Sequence, residues 1–213
     1  MKQVFALLVY PKRQIFVRQG ISIALVYVFL LPYQMHYLQT WGEMTASREI
    51  FKTDQMFLPL LLLWSLFQFF LPVYQSGTKE VLQSLRHPVT SAAVLLMLFQ
   101  QVMYMPLYIW TYVSLPHFSY ISGILVFQLV STAILFAAAL QLFASPVINM
   151  GVGIAYIGLS APMAESFIPL LFRPNRMLDG FTLEYWVIYG GMLCLLVVFL
   201  AVKYQLGKPK QAI

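Results

Sequence analysis

Gly77-Thr78-Lys79-Glu80-Val81-Leu82-Gln83-Ser84-Leu85-Arg86-His87-Pro88 is a short polar stretch set between two long apolar runs, residues 56–74 and 91–114. A helix needs about 20 apolar residues to cross the hydrocarbon core of a bilayer, and both flanks meet that length. The stretch between them carries its own helix signature. Gly77 breaks the preceding helix, Thr78 can cap the next, and Glu80 sits in a first turn that favours an anion. Val81, Leu82 and Leu85 share an apolar face, while Lys79, Gln83 and Arg86 point elsewhere. Arg86 and His87 suit a last turn, and Pro88 stops the helix. Either this is a surface helix that only links two spans, or it is a surface on which something docks.

The rest of the chain fits a membrane setting. Of the 213 residues, 61% are hydrophobic and 9% charged, with a mean hydropathy of +0.78. A soluble domain carries about 25% charged residues, so polar surface here cannot cover an exterior in water. Six segments are long and apolar enough to span: about 20–38, 56–74, 91–114, 119–144, 147–171 and 183–204. All are too long and too evenly apolar for outer-membrane strands. The expected fold is therefore an all-α membrane protein of six transmembrane helices, forming a single domain over residues 1–213. Residues 1–18 read as an interfacial segment, with Phe5, Leu8 and Phe16 toward acyl chains and Lys2, Lys12, Arg13 and Arg18 toward headgroups. The short run Val4–Tyr10 is followed by Pro11-Lys12-Arg13 and no small-x-small site, so it does not read as a cleaved signal peptide.

Charge sets the orientation. Lys2, Lys12, Arg13, Arg18, Lys79, Arg86, Lys203, Lys208 and Lys210 fall on one side of the six spans; Arg48, Lys52, Arg173 and Arg176 fall on the other. The richer side is expected to be cytoplasmic and to hold both termini. The net charge of +6 is thus a topology signal, because the basic residues lie at span ends and form no single patch for nucleic acid. Cys194 is the single cysteine, which excludes an intrachain disulfide and a cysteine-built metal site. On the outer side, residues 39–55 read as a longer charged, amphipathic loop. Pro162, Pro169, Pro174 and Gly180 mark residues 162–182 as a broken segment before the last span. The turns around Leu115-Pro116-His117 and Ser145-Pro146 are minimal.

The segment Ser76-Gly77-Thr78-Lys79-Glu80-Val81-Leu82-Gln83-Ser84-Leu85-Arg86-His87-Pro88-Val89-Thr90 resembles the coupling helix of permeases of ABC-2 type exporters. The shared pattern is Gly-Thr before an acidic residue, paired aliphatics, then Pro, a small polar residue and a new span. The layout is similar too: an N-terminal interfacial helix, six spans, termini inside and a broken outer segment. Tyr74-Gln75 stand where the commonest form has an acidic residue, a departure that bears on the detail of the partner contact. The resemblance implies a prokaryotic inner-membrane permease that exports substrate when a separate cytoplasmic ATPase binds and hydrolyses ATP. Thr78, Lys79, Glu80, Val81, Leu82, Gln83, Leu85 and Arg86 would meet that ATPase. This chain has no Gly-x-x-x-x-Gly-Lys-Ser/Thr motif. It is accordingly expected to be a transport subunit and no enzyme, with ATP and magnesium on the partner. The resemblance also implies pairing with a second permease, identical or related.

For that pairing, Gly151, Gly153, Ala155, Gly158, Ser160 and Ala161 offer a face that another helix can approach closely. Packing inside the monomer is the alternative use of the same residues. Glu165 lies in the outer part of the fifth segment, where an ionisable residue is a functional hypothesis; its prolines and Arg173 support a structural role. Gln68, Gln100, Gln101, Gln128 and Gln141, with Ser131 and Thr132, either line a polar path or bond helix to helix. Gln68, Gln101, Gln128 and Glu165 are the expected path or gate.

Three rivals come from other classes. Gly158-Leu159-Ser160-Ala161 mimics the nucleophile motif of an intramembrane serine protease, but His36, His87 and His117 all lie near span ends. A self-contained secondary carrier or channel would place charge near the midplane and repeat broken helices, and the sequence offers neither. A membrane anchor or assembly factor is the third. The cargo is open, although the scarcity of charge in the spans favours an apolar or amphipathic one.

Overall fold

The computed structural model describes residues 14–75, 88–115, 120–143, 145–160 and 183–206, and among these the chain is entirely helical. The first rod is α1 (Gln14–Leu25), a π-helical turn (Val26–Leu30) and α2 (Leu31–Thr40) in unbroken succession. Then come α3 (Glu43–Gln75), α4 (Pro88–Ser114), α5 (Tyr120–Phe143), α6 (Pro146–Ser160) and α7 (Leu183–Leu206). Four stretches are long and apolar enough to cross a membrane: Gln19–Thr40, Glu43–Pro72, Ala93–Ser114 and Tyr120–Leu140. Pro146–Ser160 and Tyr185–Leu200 are shorter apolar helices. These features describe an integral, multi-pass membrane protein.

The outer loop expected at residues 39–55 is corrected to a hairpin turn of Trp41 and Gly42. Trp41 donates its backbone N–H to the Tyr37 carbonyl at 2.9 Å, and the Gly42 carbonyl opens the next helix by accepting from Thr45 and Ala46, each at 3.0 Å. Glu43 lies in the first turn of α3, where the helix dipole favours its charge. The charged segment is helical because its apolar residues keep helical phase. Ala46, Ile50, Phe51 and Leu58 are buried along one stripe, while Arg48 faces outward. That stripe continues through Leu62, Leu66 and Phe70, so α3 is a single rod of 33 residues despite Pro59 and Pro72. The interfacial segment is also redrawn: its last residues, from Gln14, already belong to the first rod.

The π-turn has a local cause. Pro32 has no N–H, and in a regular helix its ring would press on the carbonyl of residue 28. The chain widens just before it, and the Leu31 N–H bonds back to the Val26 carbonyl instead. At the start of α6, Pro146 occupies the first helical position, where a missing N–H costs nothing. The Ser145 hydroxyl caps that end by accepting from the Ile148 N–H at 3.4 Å.

α3 is the hub, packing against α1, α2, α4, α5 and α6. α4 lies most extensively on α5, and α7 joins chiefly through α5. The side chains that close this centre include Leu58, Leu62, Leu66, Tyr104, Leu107, Ile121 and Tyr185. α1 and α3 run antiparallel, since Gln19 meets Ser65 and Gln34 meets Asp54. Residues 76–87 therefore connect α3 to α4 at the end of the bundle opposite the Trp41–Gly42 turn.

Candidate functional site

Two buried polar groups tie the first rod to α3. Near the turn, the Gln34 Nε2 donates to the Asp54 Oδ1 at 2.7 Å, and both residues are wholly buried at 0% exposure. Asp54 Oδ2 and Gln34 Oε1 have no hydrogen-bond partner among the described residues. Among the described residues, Gln34 is the side chain that hydrogen-bonds this carboxyl, and no lysine or arginine pairs with it. A buried carboxylate without a cation is costly by several kcal/mol when ionised, so its presence calls for explanation. Helix phase explains its position: Asp54 follows Ile50 and precedes Leu58 on the stripe that α3 turns inward. Its depth is modest, because Gln34 lies about 9 Å along the rod from Thr40 at 1.5 Å per residue.

The second group lies about 16 Å farther along α3, by the same helical rise. Gln19 Nε2 donates to the Ser65 carbonyl at 2.9 Å, and the Ser22 and Ser65 hydroxyls are 3.0 Å apart. Gln100 Nε2 from α4 bonds the Ser65 hydroxyl and approaches Gln19 Oε1 at 3.3 Å. All four residues are buried. Tyrosines stand between the two groups. Tyr27, on the π-turn, donates to the Met103 carbonyl, and Tyr108 donates to Gln101 Oε1 at 3.1 Å. Tyr108 lies within electrostatic reach of Tyr104, Tyr27 and Asp54. A polar seam therefore follows the contact of the first rod, α3 and α4 over most of its length.

A cavity of about 360 Å³ lies on the other side of the bundle. α5 contributes Ser131, Thr132, Leu135, Phe136 and Ala139; α6 contributes Asn149 and Gly153; α7 contributes Tyr189 and Leu196; Leu63 of α3 stands behind. Among the described residues, no Asp, Glu, Lys, Arg or His lines it. Ser131 and Thr132 donate back to the Phe127 and Gln128 carbonyls of their own helix, at 2.8 and 2.7 Å. Asn149 is 3% exposed, and neither its Oδ1 nor its Nδ2 has a partner among the described residues.

The residues singled out from sequence are distributed differently. Thr78, Lys79, Glu80, Val81, Leu82, Gln83, Leu85 and Arg86, the expected docking helix, lie outside the described residues, as does Glu165. Gly151, Ala155 and Gly158 share the exposed face of α6, and a Cβ added at Gly151 or Gly158 would meet nothing within 4 Å. Gly153 is different. A Cβ there would stand 2.6 Å from Leu63 Cδ1, so the Leu63 side chain of α3 packs directly over this glycine. Of the expected polar path, Gln68 is half-buried on α3, and Gln101 accepts from Tyr108 on its own helix. Gln128 reaches across to the Tyr185 hydroxyl of α7 at 3.2 Å. The Ser160 hydroxyl of the protease-like motif donates to the Tyr156 carbonyl at 2.7 Å, a helix-internal bond. Asp54, counted from sequence with the outer loop, instead lies within a candidate span.

Gln19, Ser22, Gln34, Ser65 and Asn149 were missed as site residues, and short polar residues inside apolar runs give little warning. Asp54 had a signal, since it continues the i, i+4 series Ala46, Ile50. Compared with models of protein families, with curated proteins and with solved structures, the chain matches none.

Proposed function

We propose that this chain is the membrane-spanning permease subunit of an ATP-driven exporter, similar to ABC-2 type permeases. It would lie in a prokaryotic inner membrane with both termini in the cytoplasm. The observation that carries the reading is the polar stretch at residues 76–87. It has the composition of a capped amphipathic helix and joins α3 to α4 at the bundle end opposite the Trp41–Gly42 turn. A bundle that worked alone would have little use for an apolar face made by Val81, Leu82 and Leu85 there. On this reading a cytoplasmic ATPase takes that face into a groove. ATP and magnesium bind on the ATPase, its closure moves residues 78–86, and the movement reaches the spans through α3, which packs against five other elements.

The open face of α6 supports pairing with a second permease copy or paralogue. Gly151, Ala155 and Gly158 recur at helical spacing, and close backbone approach in lipid relies on such small residues. Leu82→Asp or Leu85→Asp tests the reading in proteoliposomes containing both subunits. The expected result is ATP hydrolysis that no longer drives export, with membrane insertion intact. Export that stays fully coupled in both variants sinks the docking assignment.

A specific observation favours a second reading. The buried Asp54–Gln34 pair and the tyrosines beside it are what an ion- or proton-coupled carrier would place between its helices. Transport by the purified chain alone, driven by an ion gradient without any ATPase, is the result that would move the assignment there.

A further inference from the structure

We infer that Asp54 is a proton-binding site. In the folded protein its carboxyl is held as the neutral acid, joined to Gln34 by two hydrogen bonds, and this acid–amide pair latches α2 to α3. The inference needs neither transport reading, because it concerns the bundle alone.

One hydrogen is missing from this contact. Gln34 Nε2 donates to Asp54 Oδ1 at 2.7 Å, while Asp54 Oδ2 and Gln34 Oε1 are two acceptors without a donor among the described residues. In folded proteins the great majority of buried polar groups are satisfied. Water is no remedy, since both oxygens are buried too closely for a water molecule to rest against either. A hard cation asks for about six oxygens, and no cluster of metal-ligating side chains forms among the described residues. A proton needs no room. Placed on Oδ2 it turns the acid into a donor, and Gln34 Oε1 is an acceptor on the amide already bonded to it. The terminal torsions that bring these two planar groups edge to edge are soft.

The surrounding charges favour the same state. α4, α5 and α6 carry no Asp, Glu, Lys, Arg or His along their lengths. α4 places Tyr108 within electrostatic reach of Asp54, with Tyr104 and the Tyr27 of the π-turn beyond it; the tyrosines of α5 and α6 are Tyr120 and Tyr156. On α1, Arg18 lies about 24 Å from Gln34 along the rod. On α2, Tyr33 and Tyr37 are half-buried and His36 is exposed. On α3 itself, Arg48 is exposed, and Glu43, Glu49 and Lys52 are half-buried. None of these cations pairs with the carboxyl, and a buried acid without a counter-charge neutralises by keeping its proton. Losing the proton to water would leave an anion facing an amide oxygen in a dry contact, so the latch opens as pH rises.

The test is infrared spectroscopy of the full chain in lipid nanodiscs with isotope-labelled aspartate. The chain has two aspartates, Asp54 and Asp179. At pH 7 we expect a label-sensitive C=O band of a protonated carboxyl that disappears in Asp54→Asn and persists in Asp179→Asn. Gln34→Met removes the acceptor and should move this band to higher frequency, a result that stands even if Asp54→Asn fails to fold. The folded protein then holds one proton more than the unfolded chain, whose aspartates titrate at about 3.9. Stability should therefore fall as pH rises. Between about pH 5 and 7 the parent's unfolding constant in mixed micelles should rise about tenfold per pH unit relative to Asp54→Asn. Once pH is high enough to abolish the band, residues 31–58 should take up deuterium faster in the parent than in Asp54→Asn at the same pH. Absence of an aspartate acid band at pH 7 overturns the proposal, and would mean that a donor outside the described residues holds the charge. Retention of the band in Asp54→Asn, equal pH dependence in parent and variant, or equal deuterium uptake overturns it too.

Discussion

The two sides of this bundle are held together differently. Where the first rod, α3 and α4 meet, side chains hydrogen-bond across helices: Gln19, Ser22, Ser65 and Gln100 in one group, Gln34 and Asp54 in the other. On the α6–α7 side the outward surface is apolar and open, with Val152, Ile154, Leu159, Leu195 and Val198 all exposed. Lipid offers helices no hydrophobic reason to associate, so polar bonds and close fit must decide which contacts are fixed. The seam has both. On the α6–α7 side, Gln128 bonds Tyr185 and Phe127 meets Tyr185 and Trp186, but the outward apolar face of these two helices stays exposed and open to lipid, ligand or a second chain.

A matched pair of substitutions should break the contrast if it is wrong. Ser65→Leu removes the hydroxyl that Gln100 and Ser22 share and forces extra carbon atoms into a fully packed contact. Overpacking and lost bonds together should cost about 3 kcal/mol, seen as a lowered midpoint of thermal unfolding in detergent. Ser131→Leu makes the same chemical change beside the cavity, where there is room, and gives up only a bond within its own helix. Its expected cost is below about 1 kcal/mol. Equal losses at both positions would mean that the two sides are equally closed.

The glycines of α6 sharpen the comparison within one helix. Gly153→Leu should destabilise the monomer by about 2 kcal/mol, because Leu63 already occupies the space a side chain would need. Gly158→Leu, on open surface, should leave monomer stability unchanged. If a second copy packs on that face, it should instead shift the monomer–dimer equilibrium in nanodiscs, as read by single-molecule photobleaching. A loss of monomer stability at Gly158 comparable to that at Gly153 would show that the face is occupied from within.

Much of the helical layout could be read from the sequence, because runs of apolar residues long enough to span leave few alternatives. Pro88 reads in the sequence as a helix stop and Pro146 as part of a minimal turn, and the structure begins α4 and α6 at these two prolines. The boundary of α3 was hidden. Glu43, Arg48, Glu49, Lys52 and Asp54 give residues 43–55 the composition of a loop, which masks the helical spacing of Ala46, Ile50 and Leu58. The seam was less legible still. Whether Gln19 meets Ser65 depends on the antiparallel register of two helices, which no periodicity within either helix contains. Asn149 looked like one polar residue in an apolar run. Its unused hydrogen bonds become visible only once α5 and α7 are in place around it.

Asp54→Asn carries a small expected change in stability and separates the two functional readings. The amide oxygen introduced at position 54 can still accept from Gln34 Nε2, so the bond that anchors α2 to α3 is retained. The change in unfolding free energy should be below about 1 kcal/mol. Asp54→Leu deletes the acceptor and leaves the buried Gln34 amide short of a partner, which should cost about 1–3 kcal/mol. Transport by the folded Asp54→Asn protein then reports on charge alone. In an ATP-driven permease the carboxyl has a structural part, and export with the ATPase subunit should stay within about twofold of the parent, since one retained neutral hydrogen bond moves rates little. In an ion-coupled carrier the carboxyl must gain and lose charge, and gradient-driven transport should disappear while stability is kept. Loss of ATP-driven export in a fully stable Asp54→Asn protein would place this carboxyl in the transport step itself.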